Sequence, residues 1–374
     1  AGGAEVLAQF PASAEVFLPG GKPPAEGDLL RQPDLAATLT RLAESGLREF
    51  YEGETARRIA RCWHAHGGVM TTDDLAAHRA RVLDPIRTTY RGLTVLEQPP
   101  ASQGHILLQS LNVVEQFDLV DMGHLSPEAV HVCIEANKLS HADKNRYTTD
   151  PAFAPLPEGL LDKAYAAERA ALISMDEAMS FPPPAGDPPV GSDTTYLCCV
   201  DGQGNALSYI QSVFHGFGCG VVAEGTGVVM NDRGFGFSLD PEHVNFVQPG
   251  KKTVHTLNTY MILDGDRPVI VGGTPGGDVQ VQTNLQVITG LVDFGRGPQQ
   301  AAEDPRWTRG AECGISLESR FPEETVAGLR ALGHEVGMLA PYGQGGRVQV
   351  IRIGEDGVLS GGSDPRCDGC ALAL

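Results

Sequence analysis

The sequence predicts an α+β fold, in which a helix-rich first half gives way to a strand-rich second half. Two observations carry the prediction. Apolar residues recur at helical spacing in several early segments, whereas strand-like runs dominate behind a proline- and glycine-rich stretch, "FPPPAGDPPVG". That order alone suits two domains. A sheet that starts at an interior loop, however, needs partner strands from elsewhere in the chain.

Along the first half, "PDLAATLTRLAESG" offers Asp34 as cap, Leu35, Leu39 and Leu42 on one helical face, and a stop at Gly46. "ETARRIARCWHAHGG" repeats the pattern and ends at Gly67 and Gly68. "TTYRGLTVLEQPPASQGHILLQSLNVV" reads as a short strand, a turn and a helix. "LSPEAVHVCIEANKLSHADKNRY" places Ser126 at the N-cap and Pro127 at the first helical position. Residues 181–192 are expected to form an exposed connector. Beyond it, "TTYLCCV" and "NALSYIQSVF" flank "DGQG" as a hairpin. Further strands are expected in "TGVVMN", "NTYMILDGDRPVIVGG" and "RVQVIRIGEDGVLSGG", with one long helix in "DVQVQTNLQVITGLVDFG".

Composition narrows the function. The 374 residues carry a formal charge of −19, with no Lys/Arg stripe to offset it, which argues against nucleic-acid binding. No apolar run is long enough to span a membrane. No signal peptide is visible, and a cytoplasmic location with reduced thiols is expected. Eight cysteines in this length do not form a disulfide scaffold. Cys367 and Cys370 form a lone CxxC, too few ligands for structural zinc, so no metal and no cofactor are expected.

Several chemistries fail on spacing. "PGKKT" lacks the Walker glycine, "GFGCG" is no dinucleotide fingerprint, and neither HExxH nor Gly-x-Ser-x-Gly occurs. Asp73 and Asp74 read as helix capping. Two stretches remain. In "SDTTYLCCV", a cut between Asp193 and Thr194 would free an α-amino group to act as base for the Thr194 hydroxyl. Such an amine has a pKa of about 8, close to working pH. "GGTPGGD" places consecutive glycines at a helix start, where exposed N–H groups can cradle an oxyanion. On residue types alone, the plainer reading stands beside this one: threonines that favour strands and glycines that favour turns.

The chain resembles the γ-glutamyltransferase family of N-terminal-nucleophile hydrolases over nearly its whole length. "RQPDLAATL", "FYEGETARRIA", "GGVMTTDDLAAH", "YRGLTVLEQPPASQG" and "EANKLSHADKNRY" are similar to large-subunit segments, in order. "DTTYLCCVDGQGNA", "GTGVVMNDRGFGFS", "HTLN", "GGTPGGD", "DFGRGPQQAAEDPRW" and "GGSDPR" are similar to small-subunit segments. The resemblance implies a four-layer αββα sandwich whose first strands come from an N-terminal segment of about 150 residues ahead of this sequence. It implies one domain made of a large-subunit part, residues 1–193, and a small subunit, residues 194–374, joined as a heterodimer after self-cleavage. It further implies Thr194 as nucleophile and base, Ser212 as the hydroxyl that orients it, and Gly276 and Gly277 as the oxyanion hole.

Departures from the family pattern cluster where substrate is read. The acidic residue that holds a substrate α-amino group is Gly236 here, and the usual Asn two residues after Ser212 is Phe214. The paired serines that grip an α-carboxylate are His255 and Thr256, and the usual His after the Thr pair is Tyr196. Arg233 could instead pair with a substrate carboxylate. The expectation is therefore a self-processing threonine hydrolase of a non-glutamyl acyl or amide substrate. A role in natural-product biosynthesis, extending to C–C bond hydrolysis, falls within that expectation. A γ-glutamyl transpeptidase or hydrolase is the alternative, and an unprocessed scaffold the third.

Overall fold

The computed structural model describes residues 3–180, 192–310 and 312–373, with the side chains of Ser192 and Asp193 outside that description. The expected connector at 181–192 thus lies outside the described residues, save that Ser192 opens a strand. The chain forms two compact units, each built from separate stretches of sequence.

The first unit comprises Ala1–Leu83, Val190–Asp193 and Ser212–Arg233. Its helices include α1 (Pro33–Ser45) and α2 (Glu54–Ala65). Pro33, with its preset φ and no N–H to lose, starts α1 one residue before Asp34, so Asp34 sits in the first turn rather than at the cap. Leu35, Thr38 and Leu42 form the inward stripe, and Leu39, expected on it, is exposed. Thr38 is tolerated there because its hydroxyl donates to the Thr226 carbonyl at 2.8 Å. Gly46 and Gly67 end the two helices at φ values of 82° and 78°, which only glycine adopts without strain. Asp74 completes a capping box with Thr71, as its position suggested. Ile59 and Cys62 of α2 pack with Val221 and Ala223. Ser13 donates to the Gly220 carbonyl at 2.7 Å, and Arg58 to the Gly225 carbonyl at 2.7 Å. Residues far apart in sequence thus share one small core.

The second unit comprises Asp84–Pro189, Thr194–Gln211 and Gly234–Leu374. Eight strands organise the site: β1 (Ile86–Tyr90), β2 (Leu93–Glu97), β3 (Ser192–Val200), β4 (Ala206–His215), β5 (Thr259–Asp264), β6 (Arg267–Gly273), β7 (Gln349–Ile353) and β8 (Leu359–Ser363). Six of them form an antiparallel sheet in the order β1-β2-β5-β6-β7-β8, while β3 and β4 pair as a hairpin. One short strand was expected ahead of the Pro turn. Two are present, because Arg91 and Gly92 both take positive φ and close a tight turn.

Helices α3 (Gly104–Val114), α4 (Pro127–Tyr147) and α5 (Val279–Val292) build the helical layer. Ser126 caps α4, accepting from the Ala129 N–H at 3.1 Å, with Pro127 next to it. Leu107, Leu111, Ile134, Leu285 and Ile288 bury against Val95, Tyr260, Ile262, Ile270 and Val350 of the sheet. The opposite face of β6 meets the hairpin. A Cβ at Gly273 would lie 2.6 Å from the Tyr196 ring, and one at Gly272 only 2.3 Å from the Tyr260 hydroxyl oxygen. Ser208 of β4 also donates to the Gly272 carbonyl at 3.3 Å. Helices, a sheet and a hairpin therefore follow one another as layers. At the end of the chain, buried Arg306 pairs with Asp364 at 2.6 Å and buried Arg366 with Glu318 at 2.6 Å. Among the described residues, no helix is long and apolar enough to cross a membrane. All eight cysteines are free thiols.

Two buried histidines set an acid limit. Burial, with Lys144 adding, pushes His105 down to about 3. Burial, with Lys138 and His131 adding, does the same to His334. The unfolded chain takes up these protons near 6.5, so the stability is present above that pH and drains away as pH falls towards 3. Each such histidine costs up to ~1.4 kcal/mol per pH unit in that window. Thermal melts at pH 7.5 and 5.0 should show a wild-type loss that shrinks by about 2 kcal/mol in His105→Gln. An equal loss in both proteins would remove His105 from this account.

Candidate active site

Thr194 stands on β3, half-buried, two residues before Tyr196, while Thr195 between them is exposed. Alternation along a strand puts Thr194 and Tyr196 on one face. Tyr196 lies on Gly273, so that face is turned to the end of β6 from which the loop Thr274–Asp278 departs. In this loop Gly276 and Gly277 take φ values of 142° and 59°. A Cβ at Gly276 would also lie 2.8 Å from the Val279 side chain. Among the described residues, neither glycine N–H donates to a protein acceptor. Thr194 and the two glycines thus belong to one unit, with Tyr196, two residues after Thr194, packed on Gly273, three residues before Gly276.

A layer the sequence reading had not singled out holds this loop. The "PPASQG" segment runs beside "HTLN": the His255 N–H donates to the Ala101 carbonyl at 3.0 Å, and Ser102 donates to the Leu257 carbonyl at 2.5 Å. Gln103 then donates to the Thr256 carbonyl at 2.8 Å and to the Gly277 carbonyl at 3.3 Å. One amide therefore links expected substrate residue Thr256 to the oxyanion loop. Asn258 continues the network, donating to buried Glu97 at 2.8 Å and accepting from Asn284 at 2.5 Å. Burial pushes the Glu97 carboxyl well above the usual carboxylate range.

Charge is concentrated on the helical side of the loop. Lys144 of α4 lies 2.7 Å from Asp278 and is the main reason that carboxyl is held down to about 2. Burial, then Arg309 and Lys144, push His141 well below its ordinary value. Burial pulls the Arg309 guanidinium down to about 10, with Asp278 opposing, and its Nε donates to Asn137 at 3.2 Å. Asn137, His141 and Lys144 all come from "EANKLSHADKNRY", a segment whose spacing signals only a helix.

The remaining expected site residues are placed as follows. Gly236 accepts at its carbonyl from Asn245 at 2.7 Å, and a Cβ there would lie 2.7 Å from Thr253 Oγ1 and 2.8 Å from the Val254 carbonyl. No acidic side chain fits at this position without moving the Thr253–Val254 backbone or the Thr253 side chain. Asp193 lies on β3 with its side chain outside the described residues. Ser212, Phe214 and Arg233 belong to the first unit, where the Ser212 hydroxyl accepts from the Phe214 N–H at 2.8 Å and Arg233 lies 5.0 Å over the Phe214 ring.

Among the described residues, one group has metal-ligand spacing: His131, Glu135 and His334, all buried. Lys138 already serves Glu135 as cation at 2.8 Å, and the two imidazoles bond each other at 2.8 Å. Replacing Gln103 by Leu strips its hydrogen bond from the Thr256 carbonyl, while the Gly277 carbonyl keeps the one from the Gln280 N–H at 3.2 Å. Leaving the Thr256 carbonyl buried and unpaired costs roughly 1–3 kcal/mol. Gln103→Leu should melt several degrees below wild type, and an unchanged melting temperature would show that the amide does not hold the loop.

A sequence model of the γ-glutamyltranspeptidase family matches residues 2–374. The glutathione hydrolase-like YwrD proenzyme of Bacillus subtilis is 42% identical over 377 residues, covering 99% of this chain and 71% of its own. The oxamate amidohydrolase proenzyme of Klebsiella pneumoniae is 36% identical, covering 98% of this chain and 70% of its own. The crystal structure of a cephalosporin acylase from Bacillus halodurans superposes with a TM-score of 0.90 at 38% identity, over 99% of this chain and 67% of that one. The layered α+β architecture is thus the αββα sandwich of the N-terminal-nucleophile hydrolases, and the chain is a hydrolase or acylase that belongs to the γ-glutamyltranspeptidase family.

Proposed function

We propose that this protein is a self-processing threonine amidohydrolase whose acyl substrate is not glutamyl. The observation that carries the proposal is the packing of Tyr196, two residues after Thr194, on Gly273, which leads into the Gly276–Gly277 loop, with both glycine N–H groups unengaged by protein acceptors among the described residues. Cleavage between Asp193 and Thr194 yields fragments 1–193 and 194–374, which stay together as a heterodimer. The freed amine of Thr194 takes the proton from its own hydroxyl, and Oγ attacks the amide carbonyl. The two N–H groups bind the resulting oxyanion, which is commonly the largest single contribution in acyl transfer. Collapse expels the amine, carrying the proton, and water then hydrolyses the acyl-enzyme. Ser212 keeps the hydroxyl of the nucleophile in line.

Two observations favour a non-glutamyl acyl group. Gly236 has no room for the acid that would hold a substrate ammonium, and relatives at 36% identity are named for oxamate amide hydrolysis and for acylase activity. The relative at 42% identity, named glutathione hydrolase-like, favours the second reading, a γ-glutamyl hydrolase.

Intact mass separates the steps. The wild-type protein is expected to split into two fragments, the second starting at Thr194, while Thr194→Ala stays whole. Identical behaviour of the two proteins would end the mechanism. Cleaved wild type should then hydrolyse simple acyl amides faster than a γ-glutamyl anilide, and the reverse order would favour the second reading. Introducing Gly236→Asp is expected to lower the melting temperature without raising γ-glutamyl turnover, because the new side chain meets Thr253 and the Val254 carbonyl.

A further inference from the structure

Two cysteines that a cut at residue 193 would leave on different fragments meet in one small core. Cys62 lies on α2, buried in a cluster with Ile59, Val221 and Ala223. Cys219, half-buried, packs against the same cluster. Both belong to the first unit. The thiols are near enough for charge on one to bear on the other: burial pushes the Cys219 thiol up, and Asp232 and Cys62 add to the rise.

The turn that carries Cys219 is tightly held. Phe217, Gly218 and Gly220 take φ values of 61°, 54° and 77°. A Cβ at Gly218 would lie 2.1 Å from the Met230 carbonyl oxygen, and one at Gly220 2.4 Å from the Val6 side chain. Only bare backbone comes this close, so the turn is pressed onto both neighbours. The Cys219 N–H donates to the Met230 carbonyl at 3.1 Å, and the thiol meets the same oxygen at 3.5 Å. Met230 itself packs on the cluster that holds Cys62. A disulfide requires two backbones to approach within about 7 Å. The core shared by α2 and this turn is what draws these two together.

Other cysteines offer no such tie. Cys198 and Cys199 are adjacent on β3, where successive side chains point to opposite faces. Cys367 and Cys370 both follow the cut, so a bridge between them would stay within one fragment.

We infer that Cys62 and Cys219 are a modification site, at which a small-molecule disulfide converts the two thiols into a bridge between the fragments. Cys219, the more exposed of the pair, loses its proton and attacks the small disulfide, forming a mixed disulfide and releasing one thiol. The Cys62 thiolate then attacks the Cys219 sulfur and releases the second. Two protein thiols are oxidised, one small disulfide is reduced to two thiols, and the two protons leave with them. Because burial raises the Cys219 thiol, the first step quickens as pH rises. The bridge stands on packing alone, and only its role as a tie between fragments rests on the cleavage proposed above.

The test treats folded full-length protein with bis(2-hydroxyethyl) disulfide, which carries no amide for the enzyme to cut. Remaining thiols are alkylated, and peptides are mapped without reductant. Wild type should give one joined peptide pair carrying Cys62 and Cys219. In Cys62→Ala, which keeps a small apolar side chain in the core, the mixed disulfide should remain on Cys219. Cys219→Ser should give neither product. Where the chain has cut itself, fragments 1–193 and 194–374 should run as one band on a denaturing gel until reductant is added. Cys62 and Cys219 alkylated separately, or either one bridged to a different cysteine, overturns the inference whether or not the chain is cut. A joined pair in a chain that stays uncut upholds the bridge, and the self-processing reading alone then fails.

Discussion

The contact on which the site depends is the one between aromatic rings and the bare backbone at the end of β6. Gly272 faces Tyr260 across the ladder, and Gly273 faces Tyr196 of the hairpin. A side chain at either position would collide with a ring, and the missing methyl group at Gly273 sets how near the hairpin comes to the sheet. Everything chemical follows from that spacing. The residue two before Tyr196 is the candidate nucleophile, and the residues three and four after Gly273 are the candidate oxyanion glycines. Packing of an ordinary kind, aromatic on glycine, thereby fixes the register of both parts.

Around this contact several polar groups are committed, although Gln103 Oε1, the Tyr260 hydroxyl and both amide atoms of Gln280 are buried with no partner among the described residues. Gln103 spans two carbonyls, Asn258 spans a carboxyl and another amide, and Lys144 neutralises Asp278 at the mouth of α5. Networks of this kind are rigid because each member left alone in a low-dielectric interior would be costly. Among the described residues the Gly276 and Gly277 N–H groups meet no protein acceptor while both carbonyls accept hydrogen bonds, an arrangement that would suit negative charge as it develops. A cationic environment of Lys144 and Arg309 on the helical side has the same sense.

Much of this was legible in the sequence, and the rest was hidden for identifiable reasons. Ser126 and Pro127 announced α4 because caps and first-turn prolines act locally. The hairpin at "DGQG" and the glycine-rich start of α5 were likewise local matters. The turn at Arg91–Gly92 was missed because an arginine there gives no sign that it will take positive φ. Leu39 was misplaced because the buried stripe of α1 runs through Thr38, whose hydroxyl finds a carbonyl that lies 188 positions away in sequence. Gln103, Lys144 and Arg309 escaped for the same reason: their importance comes from partners distant in the chain, and their residue types carry no distinctive spacing. The substitution at Gly236 was visible as a lost acid, but only the approach of Thr253 shows that the space has gone with it.

The interleaving of the two compact units bears on what a cut at residue 193 would produce. The segment before the cut supplies α1 and α2 to one unit and β1, β2, α3 and α4 to the other. The segment after it supplies Ser212–Arg233 to the first and β5 to β8 with α5 to the second. Neither fragment is therefore a module that could dock and undock. Ser13 on Gly220 and β2 on β5 are interior contacts of a fold, not an interface between finished surfaces. For such a pair, the free energy that holds the pieces together is the free energy of folding itself. Dilution would separate them only by unfolding them, so the severed chain, unlike an uncut one, has a stability that depends on its concentration.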